Sequence, residues 1–259
     1  AGDATAMQEQ LAWLKGKPNE YRGLNWQMQT AAAEGAWRHS QELELHTMEA
    51  TGRSGAKEVA AQYAAEAALR AAAFGQKLQT IASADAALKL ARNQVTLTRA
   101  ALALAVSGEA VKTQLLVSEL EQQYSQDTLV NQLWLPEIKA ALEFRNGSPL
   151  AAIALLEAVK HYEPAAEFWP QTLRAHSYLK LGKAVEAAAE YRKILDAHGQ
   201  SPPSVLYPLA ALGLARAVAL QGDVAKSRLA YEAFFTLWKK ADADLPVFMD
   251  AKKEYDKLK

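Results

Sequence analysis

Apolar positions along this chain fall in short stretches with helical spacing, and the stretches come in pairs. Six times an Ala-rich segment runs into a glycine and is followed by a second amphipathic segment, the glycines being Gly35, Gly75, Gly108, Gly147, Gly182 and Gly222. Their separations of 40, 33, 39, 35 and 40 residues lie just above the 34-residue period of a helix-turn-helix repeat. The excess falls in loop insertions such as His198 to Ser204, where two prolines and small polar residues cannot continue a helix. The pattern predicts six helical hairpins over about residues 20–240. Ahead of them, 4–15 reads as a leftover helix stopped by Gly16-Lys17-Pro18, the second helix of a unit whose first is missing. Behind them, Phe248, Ala251, Tyr255 and Leu258 form one apolar stripe after Pro246, with Lys252, Lys253 and Lys257 on the other faces. That is a capping helix over 245–258, and a stacked array needs such a polar outer end.

Composition narrows the fold class. Half of the 259 residues are hydrophobic, enough for a sizeable core, and the abundance of Ala with only 13 Gly and 9 Pro excludes a sheet-rich fold. An all-α solenoid, one domain over 1–259, is expected. The 29 basic residues balance the 29 acidic ones, so nothing in the charge favours nucleic acid or an anionic membrane. With no Cys, disulfides, thiolate metal sites and Cys nucleophiles are excluded together. The longest apolar runs, Ala100 to Val106 and Leu150 to Leu156, fall short of the roughly 18 to 20 residues of a membrane span. The polar opening AGDATAMQEQ is no signal peptide, and the start at Ala implies processing or excision, with further domains expected upstream.

The fifth and sixth pairs carry the sharpest pattern. Ala175, Tyr178, Gly182, Ala187, Tyr191 and Ile194, then Ala215, Val218, Gly222, Ser227, Tyr231 and Phe234, occupy alternating small, aromatic or apolar, and turn positions. Ala140, Gly147, Ala152, Leu156, Val159 and Pro164 repeat the layout, as do Ala101, Leu104, Gly108, Val117 and Leu120 with Thr113. These units resemble the tetratricopeptide repeat, which implies a right-handed α-α superhelix in which small residues let paired helices approach and aromatics fill the wedge to the next pair. Across the chain, LAWLKGKP, LALAVSGEA, the Asp127 to Pro136 stretch and YPLAALGLARAVALQGDVAKSRLAYEAFF resemble the C-terminal tetratricopeptide region of bacterial eukaryote-like Ser/Thr protein kinases and of related winged-helix regulators. The resemblance implies the docking or sensory part of a signalling protein. It also implies a cytoplasmic setting, or an extracytoplasmic one behind a membrane-anchored kinase.

Catalytic motifs are missing: there is no phosphate-cradling Gly loop, GxGxxG, GxSxG or HExxH, and Gly52-Arg-Ser-Gly55 reads as an interhelical loop. No enzyme activity and no cofactor are expected of this chain. His39, Glu42 and His46 fit one helical face but read as exposed polar residues rather than a metal site, and His161, His176 and His198 stand apart from one another. The pairs Glu119/Glu121 and Asp242/Asp244 read as solvated or helix-end charges.

The first helix of each tetratricopeptide unit lines the concave groove, and the turn glycines set its register. Inner positions then fall at Arg22, Asn25, Trp26 and Gln29 in the first unit, Gln62, Glu66 and Leu69 in the second, and Thr98, Arg99 and Leu102 in the third. The fourth unit gives Trp134, Glu137 and Arg145, the fifth Trp169, Thr172, His176 and Lys180, and the sixth Leu209, Leu212 and Arg216. Tryptophan with interleaved Arg, Asn, Gln and His suits a peptide-binding surface. A protein or peptide partner in the groove is expected, with a structural or oligomerisation scaffold as the alternative and a groove enzyme as the less favoured one. The paired Asn and Lys by which some tetratricopeptide domains clamp a chaperone tail are not reproduced.

Overall fold

The computed structural model describes residues 4–258, with side chains from residue 9 onward. Among the described residues there are fourteen α-helices and no strand: α1 (Ala4–Leu14), α2 (Glu20–Ala33), α3 (Trp37–Arg53), α4 (Lys57–Ala73), α5 (Lys77–Leu90), α6 (Gln94–Val106), α7 (Ala110–Gln123), α8 (Leu135–Arg145), α9 (Pro149–Ala158), α10 (Trp169–Lys180), α11 (Ala184–Asp196), α12 (Leu206–Leu220), α13 (Val224–Leu237) and α14 (Pro246–Asp256). No helix is long and apolar enough to cross a membrane among those residues.

Each of the six turn glycines sits between the two helices of a pair with φ between 72° and 84°. Only a residue without Cβ adopts that conformation freely. It lets the chain reverse while the next amide bonds back into the helix: Gly35 N–H donates to Ala32 O and Ala36 N–H to Ala31 O, at 2.9 Å each. Five residues past the glycine stands a small residue, Ser40, Thr80, Thr113, Ala152, Ala187 or Ser227, each 3% exposed or less. In the first and last pairs its hydroxyl donates across the hairpin to the carbonyl seven residues before the glycine, Ser40 to Met28 and Ser227 to Ala215, both at 3.0 Å. The first and last pairs thus share the same hydrogen-bond offset.

Successive pairs pack through the second helix of one on the first of the next, α3 on α4, α5 on α6, α7 on α8, α9 on α10 and α11 on α12, and from the second pair on also first helix on first helix, α4 on α6, α6 on α8, α8 on α10 and α10 on α12. Ala175, Ala187, Tyr191, Ile194, Ala215, Ser227, Tyr231 and Phe234 are all buried, whereas Tyr178 is half-buried. Tyr191 lies so close to the next pair that a Cβ on Gly213 would come within 2.2 Å of its ring.

The two ends of the array meet. Trp238, fully buried after α13, stacks edge-on against Phe74, and its Nε1–H donates to Ala33 O at 3.0 Å. Asp242 N–H donates to Gly35 O at 3.1 Å, and the Asp242 carboxylate accepts the Arg38 N–H at 2.8 Å. Ala36 at the start of α3 has no side chain that caps the helix, so Asp242 satisfies an open amide of its first turn from 204 residues away. Asp244 pairs with the Arg38 guanidinium, and Lys240 with Glu34 at 2.9 Å. Asp242 and Asp244 are therefore not merely solvated charges: they hold the C-terminal segment to the first hairpin. Glu119 and Glu121 are likewise paired, with Arg92 and with Lys139.

Candidate functional site

The inner helices α4, α6, α8, α10 and α12 carry their polar residues toward Trp169, at the first position of α10. Three cavities meet at that ring. One, of about 210 Å3, lies between Gln29, Glu66, Arg70, Arg99 and the Ser201 to Val205 loop. A second, of about 130 Å3, lies between Thr98, Arg99, Trp134, Glu137 and Glu167. The third, of about 230 Å3, is bounded by Phe144, Arg145, Thr172, His176, Tyr191 and Arg216. The first two share Leu69, Arg99, Glu167 and Trp169.

Most of the expected groove residues thus come together: Gln29, Glu66 and Arg99, Trp134 and Glu137, and Arg145, Trp169, Thr172, His176 and Arg216 each line at least one of the three. Three do not. Arg22 and the exposed Trp26 turn to a separate, larger pocket against Leu11 and Leu14 of α1, with His39 and Lys240 on its rim. Asn25 is buried, its Oδ1 without a hydrogen-bond partner. The first inner helix, α2, packs on α3 and meets α12, and only Gln29 near its end reaches the shared interior.

The charges in the interior are unevenly matched. Gln62 donates to Glu66 at 2.8 Å, and Arg99 Nε lies 3.5 Å from the same carboxylate. Glu167, exposed as a residue, turns its carboxylate onto the Ser204 hydroxyl of the loop that roofs the first cavity. Arg70 is buried and donates only to the Met28 sulfur, at 3.3 Å, among its side-chain hydrogen bonds. Burial opposes its charge, while Glu66, Glu44 and Glu167 support it. Glu137 is 1% exposed, and its Oε1 has no partner. Burial, and next the negative charge of Glu167, raise its pKa well above the ordinary carboxylate value; Arg99 works the other way and Glu163 adds to the rise.

Glu137 and Trp134 owe their placement to an irregular turn. Pro136 near the start of α8 has no N–H to continue a helical ladder, and the five residues Val130–Trp134 before it form a π-helical turn in which Leu135 N–H reaches back to Val130 O. At the other end of the interior, Arg216 is engaged by the cap, its Nε and Nη2 donating side by side to the two Glu254 carboxylate oxygens at 2.8 and 3.0 Å. His176 is exposed to the interior between Phe144 and Tyr191. The surrounding protein and then the charges of Arg216 and Arg145 lower its pKa, and water at the ring limits the first effect.

Arg70, Glu167 and Ser204 were not among the expected inner residues. Arg70 follows the expected Leu69 directly, but Glu167 and Ser204 lie in segments between helices, which a register counted from turn glycines does not reach. On the outside, His39 and His46 are exposed on α3, each beside a different carboxylate, Glu42 at 3.3 Å and Glu49 at 3.7 Å, and do not converge. Compared with protein-family models and with curated proteins, the chain matches none.

Proposed function

We propose that this chain is a noncatalytic binding module, a right-handed superhelix of tetratricopeptide-type hairpins that holds an elongated segment of a partner protein along its inner face, as the docking or sensory part of a bacterial signalling protein. The observation that carries the reading is the convergence of inner-helix Arg, Glu, Gln and Trp side chains on three adjoining cavities around Trp169. Concave, partly apolar spaces with a few convergent polar groups are where ligands bind, and Trp and Arg dominate binding energy at protein interfaces. Side chains from an extended segment fit a row of small cavities better than one bulky ligand does.

A peptide selected from a random display library tests it. Arg99→Ala and Trp134→Ala should each weaken binding about tenfold or more, near 1.4 kcal/mol. Lys226→Ala, at an exposed outer position, should leave it unchanged. Equal loss from the outer variant would defeat the reading.

A second reading, self-association as a scaffold, rests on a different observation. The third residue after the turn glycine is apolar and 64 to 84% exposed in four consecutive pairs: Leu78, Val111, Leu150 and Val185. Such a stripe suits a second copy of the chain. A solution mass that doubles with concentration, and stays monomeric in the Leu78→Glu Val111→Glu double variant, would support it; a monomer throughout would remove it.

A further inference from the structure

We infer that the cavity bounded by Trp134, Glu137, Glu167 and Trp169 is an ammonium site, taking a primary alkylammonium group such as a lysine side chain of the partner or a small free amine. The inference deepens the proposed partner binding by naming the chemistry of its anchor, and it rests on that reading only for the source of the amine.

Glu66, Glu137 and Glu167 line the first two cavities together with two guanidinium groups, Arg70 and Arg99. Glu66 has Gln62 and Arg99, and Glu167 has Ser204. Glu137 is left over, almost fully buried with an unpartnered oxygen, so the interior is one positive charge short at that point. A buried carboxyl that lacks a partner costs stability whether it stays ionised or takes up a proton. The cavity that Glu137 lines also has two indoles on its wall, and an indole face attracts a cation. A volume of about 130 Å3 admits an ammonium group with a short alkyl stem and no large ring. Of its lining residues Ala165 and Glu167 are exposed and Arg99 and Trp134 half-buried, so the cavity is reachable from solvent. An anionic ligand would instead meet Glu137 and Glu167 on the same wall, with Arg99 already turned toward Glu66.

Burial first, and then the charge of Glu167, raise the Glu137 pKa well above the ordinary carboxylate value, with Arg99 opposing and Glu163 adding, so without a cation beside it the carboxyl is pushed toward its neutral form. When R–NH3+ enters, it favours the ionised carboxylate, an ion pair forms, and the proton held by the neutral form leaves to solvent. No covalent bond changes.

The test is calorimetric titration of the full chain with n-butylammonium chloride, repeated in two buffers of different ionisation enthalpy. The expected result is saturable one-site binding with proton release, weakened about tenfold or more in Glu137→Gln. Neutral n-butanol, matched in shape, should bind at least as weakly; this comparison uses the unaltered protein, so it holds even if the variant folds poorly. An acetylated and amidated Gly-Lys-Gly peptide separates the sources: tighter binding than butylammonium assigns a partner's lysine, and binding of the free amine alone assigns a small amine. No saturable binding of either amine, equal binding of butanol, or undiminished binding by a folded Glu137→Gln would overturn the inference. Because the probe is a free amine, that failure would leave the partner-segment reading standing, and failure to select any library peptide would leave the ammonium site standing.

Discussion

Gly213 sets two ordinary effects against each other. In the middle of α12, glycine costs the helix about 1 kcal/mol relative to alanine, so Gly213→Ala ought to stabilise. The Tyr191 ring, however, stands where the new methyl would go, with three of its atoms between 2.2 and 2.7 Å away. Tyr191 is itself 1% exposed and held by the core, so it cannot swing aside, and overpacking of this kind costs about 1 to 3 kcal/mol. The expected outcome is a lower melting temperature; a rise would show that the two pairs do not meet at this point. Tyr191→Phe should go the other way, because the Tyr191 hydroxyl is buried without a hydrogen-bond partner and removing it relieves a penalty of about 1 kcal/mol. Glu137 makes a prediction about pH. Its folded pKa lies above its unfolded one, so in the window between them the folded chain keeps a proton that the unfolded chain has lost. Its contribution to stability therefore falls as pH rises from the ordinary carboxylate value through the raised one, then levels off. Denaturant midpoints across pH should show Glu137→Gln free of that fall and more stable than the parent at pH 7.

At the scale of elements, the helices follow from local chemistry. The Gly-centred turns and the Pro246 start of α14 fall at helix ends as the sequence predicted, because each signal acts within a few residues of where it is written. The π-helical turn before α8 was not legible in that way, although Pro136 marks where the ladder had to change. Nor was the buried ion network of α10. Arg174, fully buried, pairs with Glu190 of α11 at 2.8 Å and with Glu163 of the segment before α10, and donates to Leu156 O at 3.2 Å. Glu190 lies sixteen residues away and Glu163 eleven, distances at which a helical pattern says nothing about who meets whom. Breaking such a network strands the remaining carboxylates, so Arg174→Met should cost about 3 to 5 kcal/mol in a chemical denaturation curve. A loss under about 1 kcal/mol would mean that solvent already reaches the group.

Over the whole molecule, contacts between segments far apart in sequence decide what the inner residues do. A linear solenoid couples only neighbours, so damage at one end stays there. Here Trp238 and Asp242 tie the last segment to the first hairpin, and Trp238→Ala, at a cost of about 3 to 5 kcal/mol, should speed amide exchange in the α2 to α3 turn as well as around α13. Acceleration confined to α13 and α14 would refute the coupling. The same long-range contacts explain what the sequence could not reveal about the site: residues counted onto an open groove come to face the Ser201 to Val205 loop, and Arg216 is taken by Glu254, because both partners arrive from distant parts of the chain. The claim that the partner lies along this interior is tested most directly by hydrogen–deuterium exchange of the chain with and without its library-selected peptide. Protection is expected in α6, at the start of α8 from Val130 to Glu137, at the start of α10 around Trp169, and in the Ser201 to Val205 loop. Protection limited to the outer helices α5, α7, α9 and α11 would contradict it.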